Sequence, residues 1–134
     1  MLSDEEILFF YKSVLFLFET GCAYSIKWNS LKIEKKMISK VHFTDDKIKQ
    51  KMVEEFLYIK KEYKSQPLSY IFIKRLRNAF AHNNIMREGN IYRLYDMDLF
   101  PENSTGKKRK EKTMYGVIDH ELLVNIVNEL KSQI

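Results

Sequence analysis

The 134-residue chain is 45% apolar and 31% charged, which is typical of one soluble globular domain and excludes an intrinsically disordered chain. Its 23 basic and 18 acidic side chains leave a formal net charge of +5, which mildly favours an anionic partner, although many proteins with this balance bind nothing anionic. A single cysteine excludes an internal disulfide bond, no uncharged apolar run is long enough to span a membrane, and the acidic start does not resemble a secretory signal, so we expect a cytoplasmic protein.

The first half of the chain contains apolar residues at helical spacing. Ser3 and Glu6 have the spacing of a capping box, and the broad apolar stripe that follows them predicts a helix. Gly21 marks either the end of that helix or a close contact with a neighbouring one. A second, shorter helical stretch is predicted around residues 31–41, and a third helix is predicted over residues 44–63.

The second half of the chain begins with another helix and then changes character. Pro67 opens this helix, which ends either at Asn83-Asn84 or at Gly89-Asn90. Residues 90–95 and 114–118 are rich in β-branched and aromatic residues. These two segments therefore predict a two-stranded hairpin with a long, exposed and basic tip.

A final helix is predicted to follow the hairpin. Asp119 is its expected N-cap, and Ile118 is placed to pack against Leu123 across the first turn. Together these elements predict a mainly α protein: a compact antiparallel helical bundle with a small β-hairpin insertion before the last helix. We expect residues 1–134 to form a single domain.

Residues 77–82 (RNAFAH) place an arginine, a polar side chain and a histidine in an otherwise apolar helical segment. Arginine keeps its charge in proteins and histidine titrates near neutral pH, so together they can hold a phosphate and move a proton. Residues five apart on a helix differ by about 140° in direction, so Arg77 and His82 flank a common face that contains Asn78. The alternative is that Arg77 is an ordinary surface residue and that the helix dipole favours His82 at the helix end.

This string closely resembles the signature of the HEPN superfamily (higher eukaryotes and prokaryotes nucleotide-binding). In that signature an arginine, usually followed by a polar residue, precedes a histidine by four to six intervening residues. Here Asn78 is the polar residue, and four residues separate Arg77 from His82. The resemblance implies a HEPN-like domain over the whole chain, with metal-independent endoribonuclease activity and no cofactor. It also implies a homodimer in which two copies of the motif form a composite active site across the twofold axis.

The chemistry that the resemblance implies is attack of the RNA's own 2′-hydroxyl on the adjacent phosphate, which leaves a 2′,3′-cyclic phosphate. His82 would transfer a proton, Arg77 would stabilise charge on the phosphoryl oxygens, and Asn78 would orient one of these groups. The implied setting is toxin–antitoxin control, stress response or phage defence, with an antitoxin or another regulatory protein as a partner. Relatives that lack activity give the alternative of a non-catalytic RNA-binding or protein-interaction module.

Two further features concern regulation and metals. Some members of the superfamily carry a tyrosine, modified by partner nucleotidyltransferases, two residues after the histidine. Asn84 stands at that position here, which argues against this form of regulation. His42 and His120 lack the spacing of metal ligands, so the sequence predicts no metal site.

A basic run in the predicted hairpin tip is a candidate contact for the phosphate backbone of RNA. It consists of Lys107, Lys108, Arg109 and Lys110. A flexible, solvated turn is an equally good interpretation of such a run. Tyr92 and Tyr95 are candidates for stacking on bases, although tyrosines on strands more often pack against their neighbours.

Overall fold

The computed structural model of the chain describes residues 1–21, 23, 26–28, 41–44, 48, 56–61, 67–101 and 107–132. The helices within these ranges are α1 (Asp4–Phe10), α2 (Phe16–Glu19), α3 (Leu68–Ala81) and α4 (His120–Lys131), and a π-helical segment, Tyr11–Leu15, joins the first two. The strands are β1 (Val41–Thr44), β2 (Leu57–Lys60), β3 (Ile85–Glu88), β4 (Ile91–Pro101) and β5 (Lys108–Asp119).

The five strands form one mixed sheet in the order β1-β2-β5-β4-β3. Strands β1 and β2 are parallel, whereas every other neighbouring pair is antiparallel. The predicted helical bundle is therefore wrong, because the hairpin forms part of a five-stranded sheet and is not a small insertion. Strand β2 lies within the helix that was predicted over residues 44–63, where its buried residues Leu57 and Ile59 also fit a helical pattern.

Several local predictions are confirmed. Ser3 and Glu6 form both hydrogen bonds of the capping box at the start of α1. The hairpin is present as β4 and β5, and Asp119 occupies the N-cap position of α4 although its side chain makes no capping hydrogen bond. Residues 31–40, 45–47, 49–55 and 102–106, which include most of two predicted helices and part of the predicted loop, lie outside the described residues.

The helices cover one face of the sheet. Helix α3 packs against β4, α4 packs against β5, and both helices contact the π-helical segment. Their buried side chains form one cluster with the inward-facing residues of the strands, including Leu57, Leu94 and Met114. Burial of apolar surface is the main source of stability here, at roughly 25 cal/mol per Å².

Gly116 lets two strands approach closely. Its φ of +140° is a conformation that side-chain-bearing residues rarely adopt. A β-carbon at this position would also collide with the carbonyl oxygen of Phe56, which accepts a hydrogen bond from the Val117 amide at 3.2 Å. Strand β2 can therefore join the sheet because this position of β5 is a glycine.

Candidate functional site

The end of helix α3 fixes the position of His82. The amide of Asn83 donates to the Phe80 carbonyl, and the amide of Asn84 donates to the Ala79 carbonyl at 2.7 Å. Asn83 has a φ of +58°, so residues 82–84 form a Schellman motif with asparagine in the left-handed position. Asparagine adopts this conformation more readily than most residues, which explains why the helix ends at the first of its two predicted stops.

The same turn joins the helix to the sheet. The carbonyl of Asn84 accepts a hydrogen bond from the Tyr95 amide at 3.2 Å. Strand β3 begins only at Ile85, which pairs with Leu94, so β4 continues beyond β3 from Tyr95 onward. Residues 82–84 lie beside this continuation and leave a surface cleft of about 370 Å³, lined by His82, Asn84, Tyr95, Met97, Asp98 and Lys110.

Arg77 and Asn78 belong to a polar network next to the cleft. Arg77 Nη1 donates to Asn78 Oδ1 at 2.9 Å, and Asn78 Nδ2 donates to Asp96 Oδ2 at 3.4 Å. The same Asp96 oxygen accepts a hydrogen bond from Thr113 Oγ1 at 3.0 Å. Asn78 thus holds the arginine of the motif and ties it to a buried carboxylate on β4.

A buried ion pair lies at the centre of this network. Arg75 is 1% exposed, and its Nη1 lies 3.2 Å from Asp96 Oδ2 and 3.5 Å from Asp98 Oδ2. Asp98 is 52% exposed and also lines the cleft. The network therefore extends from the buried side of α3 to the surface of the cleft, which it reaches through Asp98.

The structure separates the predicted site residues into two groups. His82 and Lys110, from distant parts of the sequence, line the same cleft. Arg77 and Asn78 bond to each other, and neither is among the described residues that line this cleft. Bringing an imidazole and an ammonium group together supplies a group for proton transfer and a cation for a developing negative charge.

The basic run is not the exposed loop that the sequence predicts. Lys108, Arg109 and Lys110 belong to strand β5, where they pair with β4, and Lys107 precedes the strand. Lys107 and Lys110 are exposed. Of the run, Lys110 is the residue that reaches the cleft with His82.

Sequence reasoning missed Asp98 and Arg75. The sequence does contain a signal for this network. Asp96 and Asp98 lie at alternate positions in a segment rich in β-formers, and a carboxylate on the inner face of a strand needs a partner. The pairing of β4 with β5 also shifts its register between Asp96 and Met97. From Met97 onward, this shift changes which residues of β5 lie opposite those of β4. That irregularity has no signature in the sequence.

A second polar cluster joins the first helix to the sheet. Glu6 Oε2 accepts hydrogen bonds from Tyr92 Oη at 2.7 Å and from Arg87 Nη1 at 3.0 Å. His120 Nδ1 lies 2.9 Å from the same tyrosine oxygen, and because that hydroxyl already donates to Glu6, the imidazole is the donor. Burial and the hydrogen bond with Glu6 raise the pKa of Tyr92 well above its usual value.

The hydrogen bonds of this cluster hold α1 against the sheet. His120 also borders an open cleft of about 750 Å³, together with Asp119 and Asn125. Tyr92 is buried, which excludes the base-stacking role that the sequence left open for it, whereas Tyr95 is exposed.

Within the described ranges no three histidine, cysteine or acidic side chains are grouped to hold a metal ion. None of the helices in this part of the chain combines the length and apolar composition needed to cross a bilayer.

Comparison with known proteins adds no relative. The chain matches no protein-family model, no curated protein and no solved structure.

Proposed function

We propose that this protein is a metal-independent endoribonuclease whose reaction takes place in the cleft that contains His82. The observation that carries the proposal is the convergence of His82 and Lys110 on one cleft. Each was a candidate on separate grounds, the first from the motif and the second from the basic run. The five-stranded sheet departs from the helical bundle that the sequence predicts, so the proposal rests on the site and not on the fold.

The proposed reaction needs no group outside the RNA and the protein. The 2′-oxygen of a ribose forms a bond to the adjacent phosphorus, the bond from phosphorus to the 5′-oxygen breaks, and a 2′,3′-cyclic phosphate remains. In this scheme His82 carries the proton that the 2′-hydroxyl loses on attack and that the departing 5′-oxygen gains as its bond to phosphorus breaks. The ammonium group of Lys110 stabilises the charge that builds on the non-bridging oxygens.

Arg77 and Asn78 are assigned supporting roles in the same scheme. Asn78 receives a hydrogen bond from Arg77 and donates one to Asp96, so it restrains the direction of the guanidinium group. Arg77 is not among the described residues that line the cleft, so we assign it to the charge of the RNA phosphate, as the resemblance implies, from a position next to the cleft. Asn78 is then a positioning residue.

The partners proposed with this activity are RNA as the substrate and a second copy of the chain. A homodimer with a composite site follows from the resemblance, which also implies an antitoxin or other regulatory protein. The setting would be toxin–antitoxin control, stress response or phage defence. Cytoplasmic location belongs to the same proposal.

The first test is cleavage of single-stranded RNA by the purified protein in EDTA. His82→Ala is expected to lower the cleavage rate by about 10²–10⁴-fold, because it removes the group that transfers the proton. His120→Gln is the matched control, since His120 borders a different cleft. Lys110→Ala should lower kcat/KM as well, whereas Lys12→Ala, at an exposed position far from this site in the sequence, should not.

The products and the failures are informative. Cyclic phosphate ends from the wild type and from His120→Gln, with none from His82→Ala, would establish the proposed chemistry. Equal cleavage by His82→Ala and the wild type would refute it. RNA binding without any cleavage by the wild type would favour the non-catalytic RNA-binding module.

A further inference from the structure

Four ring side chains lie in register across four neighbouring strands. His42 on β1 pairs with Tyr58 on β2, Tyr58 pairs with Tyr115 on β5, and Tyr115 pairs with Tyr95 on β4. Directly paired residues of adjacent strands present their side chains on the same face of a sheet. His42, Tyr58, Tyr115 and Tyr95 therefore form a continuous row, which we call the ring row.

The ring row lies on the sheet face opposite the hydrophobic core. The strand neighbours of its members, such as Leu57, Ile59 and Leu94, point into that core. Tyr95 is 40% exposed, His42 is also exposed, and the two central tyrosines are partly buried. Rings that served only to pack the sheet would be covered, whereas the two ends of this row remain accessible.

The rings are arranged as neighbours across the strands. The centroids of His42 and Tyr58 are 5.2 Å apart with an interplanar angle of 23°, which is a stacked arrangement. The centroids of Tyr95 and Tyr115 are 6.4 Å apart at 37°. Because the inner rings lie against their neighbours, the exposed rings at the two ends of the row, His42 and Tyr95, are the platforms that can accept the face of a base.

Positive charge accompanies the row and continues into the cleft. Lys112 Nζ lies 4.1 Å from the centroid of the Tyr115 ring, and Lys110, two residues earlier on β5, is exposed. Tyr95 is both the end of the ring row and part of the lining of the His82 cleft. A strand that lay along the row would thus meet cations and arrive at the proposed catalytic site.

We propose that the ring row binds single-stranded RNA by base stacking and leads it into the His82 cleft. Single-stranded RNA fits because its bases can turn out to meet aromatic rings, whereas the bases of a duplex are already stacked on one another. The lysines match the charge of its phosphates. The choice of RNA and the delivery of the strand to a reaction rest on the proposed function, but the binding of a single strand by base stacking does not.

The test measures binding of a fluorescein-labelled, 12-nucleotide single-stranded RNA by anisotropy, with His82→Ala present in every protein so that cleavage cannot interfere. Tyr95→Leu and Tyr115→Leu are each expected to raise Kd about 5- to 100-fold, because the first removes a stacking platform and the second removes the neighbouring ring that positions it. Tyr95→Phe should keep Kd close to that of its parent, because the ring is retained. Tyr11→Leu is the matched control, since Tyr11 is 48% exposed and lies outside the row.

A second measurement reports stacking directly. The same RNA with 2-aminopurine in place of one adenine should lose fluorescence on binding, and Tyr95→Leu should reduce that loss while Tyr11→Leu should not. Equal Kd values for Tyr95→Leu, Tyr115→Leu and Tyr11→Leu would overturn the proposal, as would equal binding of a duplex of the same sequence. Ring-dependent binding by a wild type that cuts no RNA would retain the binding surface and refute the nuclease alone.

Discussion

The carboxylate of Glu6 accepts hydrogen bonds from the Ser3 amide, from Tyr92 Oη and from Arg87 Nη1. Burial raises the pKa of this carboxyl group, but the hydrogen bonds outweigh burial and lower the pKa from 4.5 to about 2. The contact with Ser3 was evident from the spacing in the sequence. The contacts with Tyr92 and Arg87 join residues more than eighty positions apart, so no local pattern could have indicated them.

Glu6→Gln is expected to lower the free energy of unfolding at pH 7 by about 1–3 kcal/mol, the range for a hydrogen-bonded charge. Because the pKa of Glu6 is lower in the folded state, its contribution is fully present above the unfolded pKa of 4.5 and is lost as the pH falls towards about 2. The stability difference between the wild type and Glu6→Gln should therefore shrink between pH 5 and pH 2. Urea unfolding at a series of pH values measures this difference.

Glu5→Gln is the control for this prediction. Glu5 is the exposed neighbour of Glu6 on the same helix, so its substitution removes one charge without removing the polar cluster. A stability difference for Glu6→Gln that stayed constant from pH 7 to pH 2 would contradict the assignment.

At the scale of the secondary-structure elements, the end of α3 shows how one backbone conformation determines a site. The left-handed φ of Asn83 allows the amides of Asn83 and Asn84 to bond back to the helix. The next carbonyl then pairs with the Tyr95 amide, which sets the helix end beside β4. His82 reaches the cleft because the helix stops where it does.

Asn83→Val is expected to destabilise the protein by about 1–2 kcal/mol, because a β-branched residue is strained in the left-handed conformation. Asn83→Gly should stay within about 1 kcal/mol of the wild type, since glycine adopts this conformation freely. Thermal unfolding monitored by circular dichroism compares the two variants. Equal losses from both substitutions would mean that the side chain of Asn83, and not its backbone, secures the turn.

The elements that the sequence predicted well are those whose signals are local. The capping box at Ser3, the helix stop at Asn83 and the β-rich segments of the hairpin each depend on neighbouring residues. Strands β1 and β2 have only four residues each, too short for an alternating pattern to compete with helical spacing. They form because Gly116 permits the approach of β2 and because the neighbouring strand supplies the hydrogen bonds, both of which are tertiary effects.

The residues of the candidate site also divide into those with a local signal in the sequence and those that depend on tertiary structure. His82 was found from a string of six residues, whereas Asp98 and the ring row depend on register across the sheet. Lys110 was identified as a binding residue from its basic neighbours. Its position beside His82 could not have been predicted, because that position requires the β4–β5 hairpin to return to the end of α3.

At the scale of the whole molecule, a buried charge pair connects the helical layer to the sheet. Arg75 on α3 and Asp96 on β4 are each 1% exposed and lie 3.2 Å apart, and Thr113 on β5 donates to the same carboxylate. Removing Asp96 takes away the buried counter-charge of Arg75, which the half-exposed carboxylate of Asp98 at 3.5 Å compensates in part. The relative position of helix and sheet therefore depends on this pair.

Asp96→Asn is expected to lower the free energy of unfolding by about 3–5 kcal/mol, the cost of breaking a buried ion pair. Asp98→Asn is the matched control. It also removes a carboxylate near Arg75, but this carboxylate is half exposed, so its loss should cost less than about 1 kcal/mol. Urea unfolding of both variants measures the two losses in unfolding free energy. Equal costs for Asp98→Asn and Asp96→Asn would show that the burial of a carboxylate does not determine the cost of removing it.

The lengths of the strands give the sheet an uneven outline. Strand β3 pairs with β4 as far as Leu94, and β2 pairs with β5 from Met114 onward. In the described part of the chain, the far half of the β4–β5 hairpin thus pairs only with itself, as a two-stranded arm. A two-stranded ribbon is marginally stable alone, so the arm should open locally at a lower free energy than the core and exchange its amide hydrogens first. Lys110 lies on the arm and His82 at the end of α3. Local opening of the arm should therefore change the distance between these two side chains across the cleft while the core of the domain stays folded.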